Sequence, residues 1–470
     1  MVIPHRSRVQ GPQRRSARGG AASLAVLLAL SADCPGGDWP RLLGPDGTGV
    51  SAETDILEEW PAAGPRVLWK RRVGEGYAAP SVRGERVVFF HRIGDDEVIQ
   101  CLAADTGEEL WSESHPTRFV DPYGYNGGPR CTPLLTADRC YTFGAEGTLS
   151  CLDLATGAVV WRRHTQRDFA VPPAFFGVGA GPVLEDDRLI VMVGGHPRSG
   201  VVAFDATTGE TRWQAVGPED FPEPPVRIQR DRPPVKLASY SSPHVATIHG
   251  RRHVLCLMRP GLVSLDPQTG GVNFVASFRS RLHDSVNAAQ PVVVGDGRIF
   301  LTAAYDAGAV LLEVAADGRS VDVVWKDAAA MQCHWSTPIA RDGFLYGFSG
   351  RHESDADLRC VRASDGTVIW RWPDEARAED RPETTFGRGS AILAAGRLIA
   401  LGERGTLALL DASPLGLRAI GTARFPELGH PCWTAPVLSE GRLFVTGARP
   451  GADGGQYEYH LLALELSASR

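Results

Sequence analysis

The chain has 470 residues, of which 43% are apolar, and it contains 53 Gly and 34 Pro. This composition provides a hydrophobic core and many turns. No window carries a sustained helical period, which excludes a helical fold and favours one that is nearly all β. The formal net charge is −6, and an acidic chain argues against nucleic acid or an anionic membrane as the partner.

The first stretch has the pattern of an export signal. Five Arg precede an apolar run at residues 21–30, and two small residues follow it. Such a run is too short to span a bilayer, so we expect a signal peptide over residues 1–32, no membrane span, and a periplasmic or extracellular location. The mature chain then has 44 basic and 55 acidic residues, a net charge of −11.

Two details of export have alternatives. The pair Arg14-Arg15 suggests a twin-arginine signal as an alternative, but the residues after it match that motif poorly, which favours the general pathway. Cys34 would be the anchor of a lipoprotein. Asp33 stands where a lipobox has Gly or Ala, which favours ordinary cleavage.

Residues 33–65 follow the signal and are predicted to form an irregular arm. They are rich in Pro, Gly and Asp, as in DWPRLLGPDGTGV at residues 38–50. The short apolar segment RVLWKRRVG, residues 66–74, then begins a repeat region that extends to residue 470.

The repeat is most complete in LDLATGAVVW, residues 152–161. An apolar strand ends at Asp, turns on Thr-Gly and leaves as a second strand that carries a large aromatic residue. This is the pattern of a β-hairpin, because Gly takes the positive φ that the turn requires. Further copies, two of them looser, occupy residues 102–111, 204–213, 265–274, 314–325, 361–370 and 410–416.

A second signature precedes each hairpin. It consists of a small residue, usually followed by Pro, then a short strand and then an apolar run. Its eight copies begin at Ala79, Thr132, Gly181, Ser242, Gln290, Thr337, Ser390 and Ala435. Two hairpins in series make one four-stranded blade, so the fold class is an all-β, eight-bladed propeller of antiparallel blades over residues 66–470. The last blade lacks a final strand, and residues 66–74 are predicted to complete it, because an open ring would leave unpaired edges.

The Leu-Asp-x-x-Thr-Gly-x-x-x-Trp repeat resembles that of the pyrroloquinoline quinone (PQQ) propeller family, over roughly residues 66–466. The resemblance implies that the repeat aromatics dock one blade on the next; these are Trp69, Trp111, Trp161, Trp213, Phe274, Trp325 and Trp370. The family contains PQQ-dependent dehydrogenases and cofactor-free relatives such as the B subunit of the bacterial β-barrel assembly machinery. The fold therefore follows from the resemblance, and the function does not.

The dehydrogenases of this family hold their quinone beside Ca²⁺ and under a disulfide between adjacent cysteines. This sequence has no Cys-Cys pair, no CxxCH haem motif and no recognisable set of carboxylate ligands. We therefore expect no metal and no cofactor, and the main hypothesis is a non-catalytic binding or scaffold protein with an envelope protein or polymer as its partner. The alternative is a PQQ- or metal-dependent oxidoreductase, with PQQ and Ca²⁺, at the channel mouth.

Unusual side chains occur in the segments just before the first strand of each blade. In a propeller these segments cross one face near the axis, so we predict a ligand site there, and three His with two Arg would suit a small polar or anionic ligand. The competing interpretation is that they fill the channel and satisfy loop backbone. The candidates are Tyr125, Asn126, Arg130, Tyr240, His283, Asp284, Asn287, His334, Trp335, Arg388, His430 and Trp433.

Cysteine usage is expected to be structural. Cys101, Cys151 and Cys360 stand at strand positions where other copies of the repeat have small residues. Cys140 and Cys151 lie on neighbouring strands, and a disulfide between them is the alternative in an oxidising compartment.

Overall fold

Eight separate four-stranded antiparallel sheets make up the computed structural model of this protein, and they confirm the predicted eight-bladed propeller. The structure describes residues 37–173, 176–222, 236–282, 285–373, 385–451 and 456–468. The predicted signal peptide, residues 1–32, and Cys34 lie outside the described residues. Within the described part, the one α-helix is α1, Thr165–Asp168, and no helix is long or apolar enough to cross a bilayer.

The blades follow one another along the chain, and within each blade the strand order is sequential. The strands of the first four blades are β2 Ser81–Arg83, β3 Arg86–Ile93, β4 Asp96–Ala103 and β5 Glu109–Pro116; β6 Leu134–Leu135, β7 Arg139–Phe143, β8 Thr148–Asp153 and β9 Val159–His164; β10 Val183–Glu185, β11 Arg188–Val191, β12 Val201–Asp205 and β13 Thr211–Ala215; β14 His244–Ile248, β15 Arg251–Leu257, β16 Gly261–Leu265 and β17 Val272–Ser277.

The second half repeats this arrangement, except that the eighth blade takes its outer strand from the start of the chain. Its strands are β18 Val292–Val294, β19 Arg298–Ala303, β20 Gly308–Val314 and β21 Val321–Asp327; β22 Ile339–Arg341, β23 Phe344–Ser349, β24 Asp357–Arg362 and β25 Val368–Trp372; β26 Gly389–Ala394, β27 Arg397–Gly402, β28 Leu407–Ser413 and β29 Gly416–Ala423; β30 Val437–Ser439, β31 Arg442–Pro450, β32 Tyr457–Glu465 and β1 Val67–Val73.

The ring closes through β1, as the sequence predicts. This strand pairs antiparallel with β32, with Trp69 opposite Ala463. Arg66 adds a two-pronged ion pair to Glu465, with nitrogen–oxygen distances of 2.8 and 2.9 Å. Because β1 provides the missing ladder partner, neither end of the propeller is left as an open sheet edge.

The repeat tryptophans lie at the seams between blades. Trp161 of the second blade donates its indole N–H to the carbonyl of Ala206 in the third, at 3.0 Å. Its ring lies on the turn residue Gly209, and the Cβ of any larger residue at position 209 would come within 2.7 Å of the indole. Gly209 also has a φ of 73°, so two separate requirements select glycine there. Trp69, Trp111, Trp213, Trp325 and Trp370 make the equivalent indole hydrogen bond.

The seventh blade lacks a repeat tryptophan, and the N-terminal arm supplies one. Gly421 pairs with Leu409 at the ladder irregularity where the other blades carry their aromatic residue. Trp60, only 8% exposed, fills that space, since a Cβ at Gly421 would lie 2.7 Å from Trp60 Cβ. This exchange was not predicted, because no local pattern links the two positions.

The arm, residues 37–65 in this structure, also crosses the channel at the ends of the innermost strands. Trp39 bridges Val82 of β2, and Pro40 accepts a hydrogen bond from Leu135 of β6. Farther along, Val50 bridges Leu393 of β26. These contacts lie at the end of the channel opposite the loops that lead into the innermost strands, so the arm covers that end.

The alternative of a disulfide between Cys140 and Cys151 is wrong. Cys140 lies opposite Leu152, and Cys151 lies opposite Tyr141, so the two side chains occupy opposite faces of the blade. Each enters a different cluster of the core. All cysteines in the described part are buried and unpaired, which agrees with a packing role.

We expect Trp60→Ala and Trp161→Ala each to lower the free energy of unfolding by about 3–5 kcal/mol, because both remove a buried indole at a seam. Denaturant unfolding of the full chain measures the effect. Leu415→Ala is the control, since Leu415 is fully exposed and its loss removes no packing. A Trp60→Ala protein as stable as the wild type would mean that the arm is no part of the core.

Candidate functional site at the channel mouth

A cavity of about 260 Å³ lies on the axis, where the loops leading into the innermost strands converge. All eight blades contribute to its wall, because each sends one such loop to the same face. Leu42 and Leu43 of the N-terminal arm lie at its floor. The cavity is therefore a well that opens at the loop face and is closed below by the arm.

A chain of aromatic rings forms one side of the wall. Tyr77 lies 5.0 Å from Trp433, which lies 5.3 Å from Trp335, measured between ring centroids. The series continues from Trp335 to His334 at 5.4 Å and from His334 to Tyr305 at 5.3 Å. Rings at these separations support one another, so the wall is apolar and stiff.

The opposite side of the mouth is also aromatic. Phe176 is surrounded by Tyr123, Tyr125 and Tyr240 at centroid distances of 5.2, 5.9 and 5.5 Å. Burial raises the pKa of Tyr240 to about 12, and its hydroxyl accepts a hydrogen bond from the Phe176 backbone at 3.0 Å. Tyr125 also meets Trp433 at 5.5 Å, which joins the two aromatic sides.

One buried charge pair of the site joins Arg388, just before β26, to Glu403, just after β27. The Glu403 carboxylate is fully buried and accepts the Arg388 side chain at 2.7 and 3.1 Å and its backbone N–H at 2.8 Å. The guanidinium also lies over the rings of Trp335 and Trp433, at 4.7 and 5.5 Å. Arg388 is thus fixed in the cavity wall by its carboxylate partner and by two rings.

Arg130 forms a second internal pair, with Asp121. Their nitrogen–oxygen distance is 2.8 Å, and the Asp121 carboxylate is fully buried. The guanidinium lies 4.9 Å from the Phe119 ring and 5.6 Å from the Tyr77 ring. Both arginines that line the cavity are therefore paired with buried carboxylates.

His334 is held in one neutral form. Arg388 donates to its Nδ1 at 3.3 Å, so Nε2 carries the proton and lies 3.0 Å from the Tyr305 hydroxyl. Burial, together with the positive charges of Arg388 and Arg351, lowers the pKa of His334 to about 3.

The structure places seven of the predicted site residues in the wall of one cavity: Tyr125, Arg130, Tyr240, His334, Trp335, Arg388 and Trp433. Three others do not line it. Asn126 binds the Tyr459 hydroxyl at 3.1 Å, Asn287 binds the Met258 carbonyl at 2.9 Å, and His430 lies beside Glu403 at 3.8 Å. His283 and Asp284 lie outside the described residues.

Several residues of the site were missed by the sequence reasoning. Glu403 and Asp121 compensate the two arginines, and Tyr77 and Tyr305 complete the aromatic wall. Glu403 has a recognisable signal, an acidic residue directly after the apolar run RLIALG of β27. The other three lie in loops, where no repeating sequence pattern marks them.

Comparison with known proteins identifies the family to which the repeat region is similar. A family model described as outer membrane protein assembly factor BamB matches residues 94–372. A search of curated protein sequences finds no match. BamB from Moraxella catarrhalis is similar to this chain at 16% identity, with a TM-score of 0.53, over 85% of this chain and 99% of that one.

Two dehydrogenase structures are also similar. The quinohemoprotein alcohol dehydrogenase from Comamonas testosteroni has 14% identity and a TM-score of 0.59, over 92% of this chain and 81% of its own. A europium-containing methanol dehydrogenase has 11% identity and a TM-score of 0.64, over 92% and 98%. At such identities these likenesses show the shared fold alone.

We expect His334→Gln to change how stability depends on pH. Below about pH 6.5 the unfolded chain binds a proton at His334 that the native protein excludes until about pH 3. As the pH is lowered through that window, the free energy of unfolding therefore decreases by about 1.4 kcal/mol per pH unit on account of this residue. Denaturant unfolding between pH 4 and 6 should show a slope shallower by that amount in the variant, with pH 7 to 8 as the reference. Parallel curves would contradict the neutral, buried imidazole.

Proposed function

The chain belongs to the family described as outer membrane protein assembly factor BamB, and on that basis we propose that it is a non-catalytic binding propeller of the cell envelope. Its partner is an envelope protein or polymer that docks on the loop face. The observation that carries this proposal is the aromatic, charge-compensated mouth, in which both arginines are already paired.

The surface around the mouth supports docking. Val120, Tyr123 and Tyr125 follow one another in the loop before β6 and are 78%, 51% and 49% exposed. Leu282, in the loop before β18, is a further exposed apolar residue on this face. Exposed aromatic and apolar side chains that continue into a pocket are typical of binding surfaces.

The oxidoreductase alternative requires groups that the described residues of the mouth do not offer. Among the described residues, no three His, Cys, Asp or Glu side chains are arranged to hold a metal, and Glu403 and Asp121 each face an arginine. Ca²⁺ needs six or more oxygen ligands. The sequence also lacks the adjacent cysteines that cover PQQ in the dehydrogenases. The donor set of the described mouth residues therefore argues against PQQ with Ca²⁺.

A photo-crosslinking amino acid at Tyr123 of the full chain tests the proposal in intact cells. We expect a specific adduct in the envelope fraction, and we expect Tyr125→Ser to reduce it because it removes an adjacent contact. The control position is Leu415, fully exposed in the β28–β29 turn of the opposite face.

Adducts that form equally from position 415, or none from position 123, would contradict a docking role for the mouth. A second assay addresses the alternative directly. Purified protein supplied with PQQ and Ca²⁺ should not reduce an artificial electron acceptor with alcohols, and turnover that Arg388→Ala abolishes would overturn the non-catalytic proposal.

A further inference from the structure

The cavity wall contains uncharged hydrogen-bonding groups without a partner. The indole Nε1 of Trp335 is buried and unpaired among the described residues. The hydroxyls of Ser336 and Ser390 line the cavity and make no hydrogen bond within the part of the chain that the structure describes. A ligand that displaces water from the two hydroxyls must replace its hydrogen bonds, and an acceptor that reaches the indole N–H satisfies a group whose unpaired burial costs about 1–3 kcal/mol. The ligand therefore needs acceptors for the indole and polar groups for the hydroxyls.

The charge balance of the wall selects against ions. Glu403 compensates Arg388, and Asp121 compensates Arg130, each at a shortest distance of 2.7 or 2.8 Å. An anion would have to compete with a buried carboxylate, and a cation would meet Arg388, which already lies over Trp335 and Trp433. Either ion would be buried without a partner, which is strongly unfavourable. The fitting ligand is uncharged.

The shape of the cavity favours the end of a ligand chain over its middle. Leu42 and Leu43 close the floor, so an extended chain cannot run through the channel. The volume of about 260 Å³ is near the small end of ligand pockets, which measure ~300–1,000 Å³. Flat aromatic side chains around such a well suit a ring with an apolar face.

We propose that the cavity binds the terminal sugar ring of an uncharged oligosaccharide. A sugar ring has C–H faces that pack on aromatic walls, and its hydroxyls serve as acceptors for Trp335 and as donors or acceptors for Ser336 and Ser390. A phenylalanine side chain of a peptide would fill the aromatic space and leave these three groups unpaired. The inference rests on the proposed binding function and specifies the polymer that the mouth takes.

Isothermal titration of the full mature chain tests this ligand class. The probes are maltotetraose, cellotetraose and tetra-N-acetylchitotetraose, with tetragalacturonate as the charged comparison and a neutral phenylalanine tripeptide amide as the peptide comparison. At least one neutral tetrasaccharide is expected to bind, more tightly than both comparison probes.

Two variants locate the binding. Trp335→Phe keeps an aromatic ring and removes the unpaired N–H, and Ser390→Ala removes one hydroxyl; each should weaken binding about two- to tenfold, the range for one hydrogen bond. Trp213→Phe is the matched control, because Trp213 lies at a blade seam and donates to Pro267. It should leave affinity unchanged.

The outcomes separate this inference from the proposed function. If no neutral tetrasaccharide binds, or if the charged probe or the peptide binds more tightly, the sugar assignment is overturned, even where crosslinking at position 123 persists. Equal affinity in Trp335→Phe, Ser390→Ala and the control would place the binding elsewhere and overturn it as well. Loss of the crosslink alone would reject the docking proposal and not the sugar site.

Discussion

The contact on which the rest of the structure depends is the indole of one blade lying on the turn glycine of the next. It combines apolar burial, an indole hydrogen bond to a carbonyl across the seam, and a turn that only glycine adopts without strain. Because each seam needs groups from two blades, no blade completes its packing alone. The ring must therefore close, which explains why β1 pairs with β32 and why Trp69 docks on the first blade.

The same constraint explains the arm. Where the seventh blade has Gly421 in place of an aromatic residue, its seam would be left empty without Trp60. Once that indole is anchored, the preceding residues are held across the channel, from Trp39 on β2 to Val50 beside β26. A packing requirement at the outer edge of one blade is thus linked to the closed floor of the central cavity.

The repeat made most of the fold predictable. A period of tens of residues set the eight blades, and the unfinished last blade predicted the role of residues 66–74. The contacts in the mouth were harder to predict, because its loops occupy equivalent places in the blades but have no common sequence pattern. Position in the chain selected Trp335, Arg388 and Trp433, which the structure places in the wall of one cavity. It also selected Asn287, whose amide donates to a buried backbone carbonyl. The pairing of Arg388 with Glu403 depends on two strands of one blade folding beside each other, and no spacing rule shows it.

The way in which charge is buried decides what the mouth is suited to do. General acid–base chemistry needs a titrating group near the working pH that reaches the ligand. His334 instead is neutral, with a pKa of about 3 and a hydrogen bond on each nitrogen. Glu403 directs its oxygens at Arg388 and Trp433. Among the described residues of the wall, the groups open to a ligand include ring faces, an indole N–H and hydroxyls, which recognise shape and hydrogen-bonding pattern. Ring faces and uncharged hydrogen-bonding groups are what the proposed binding function uses.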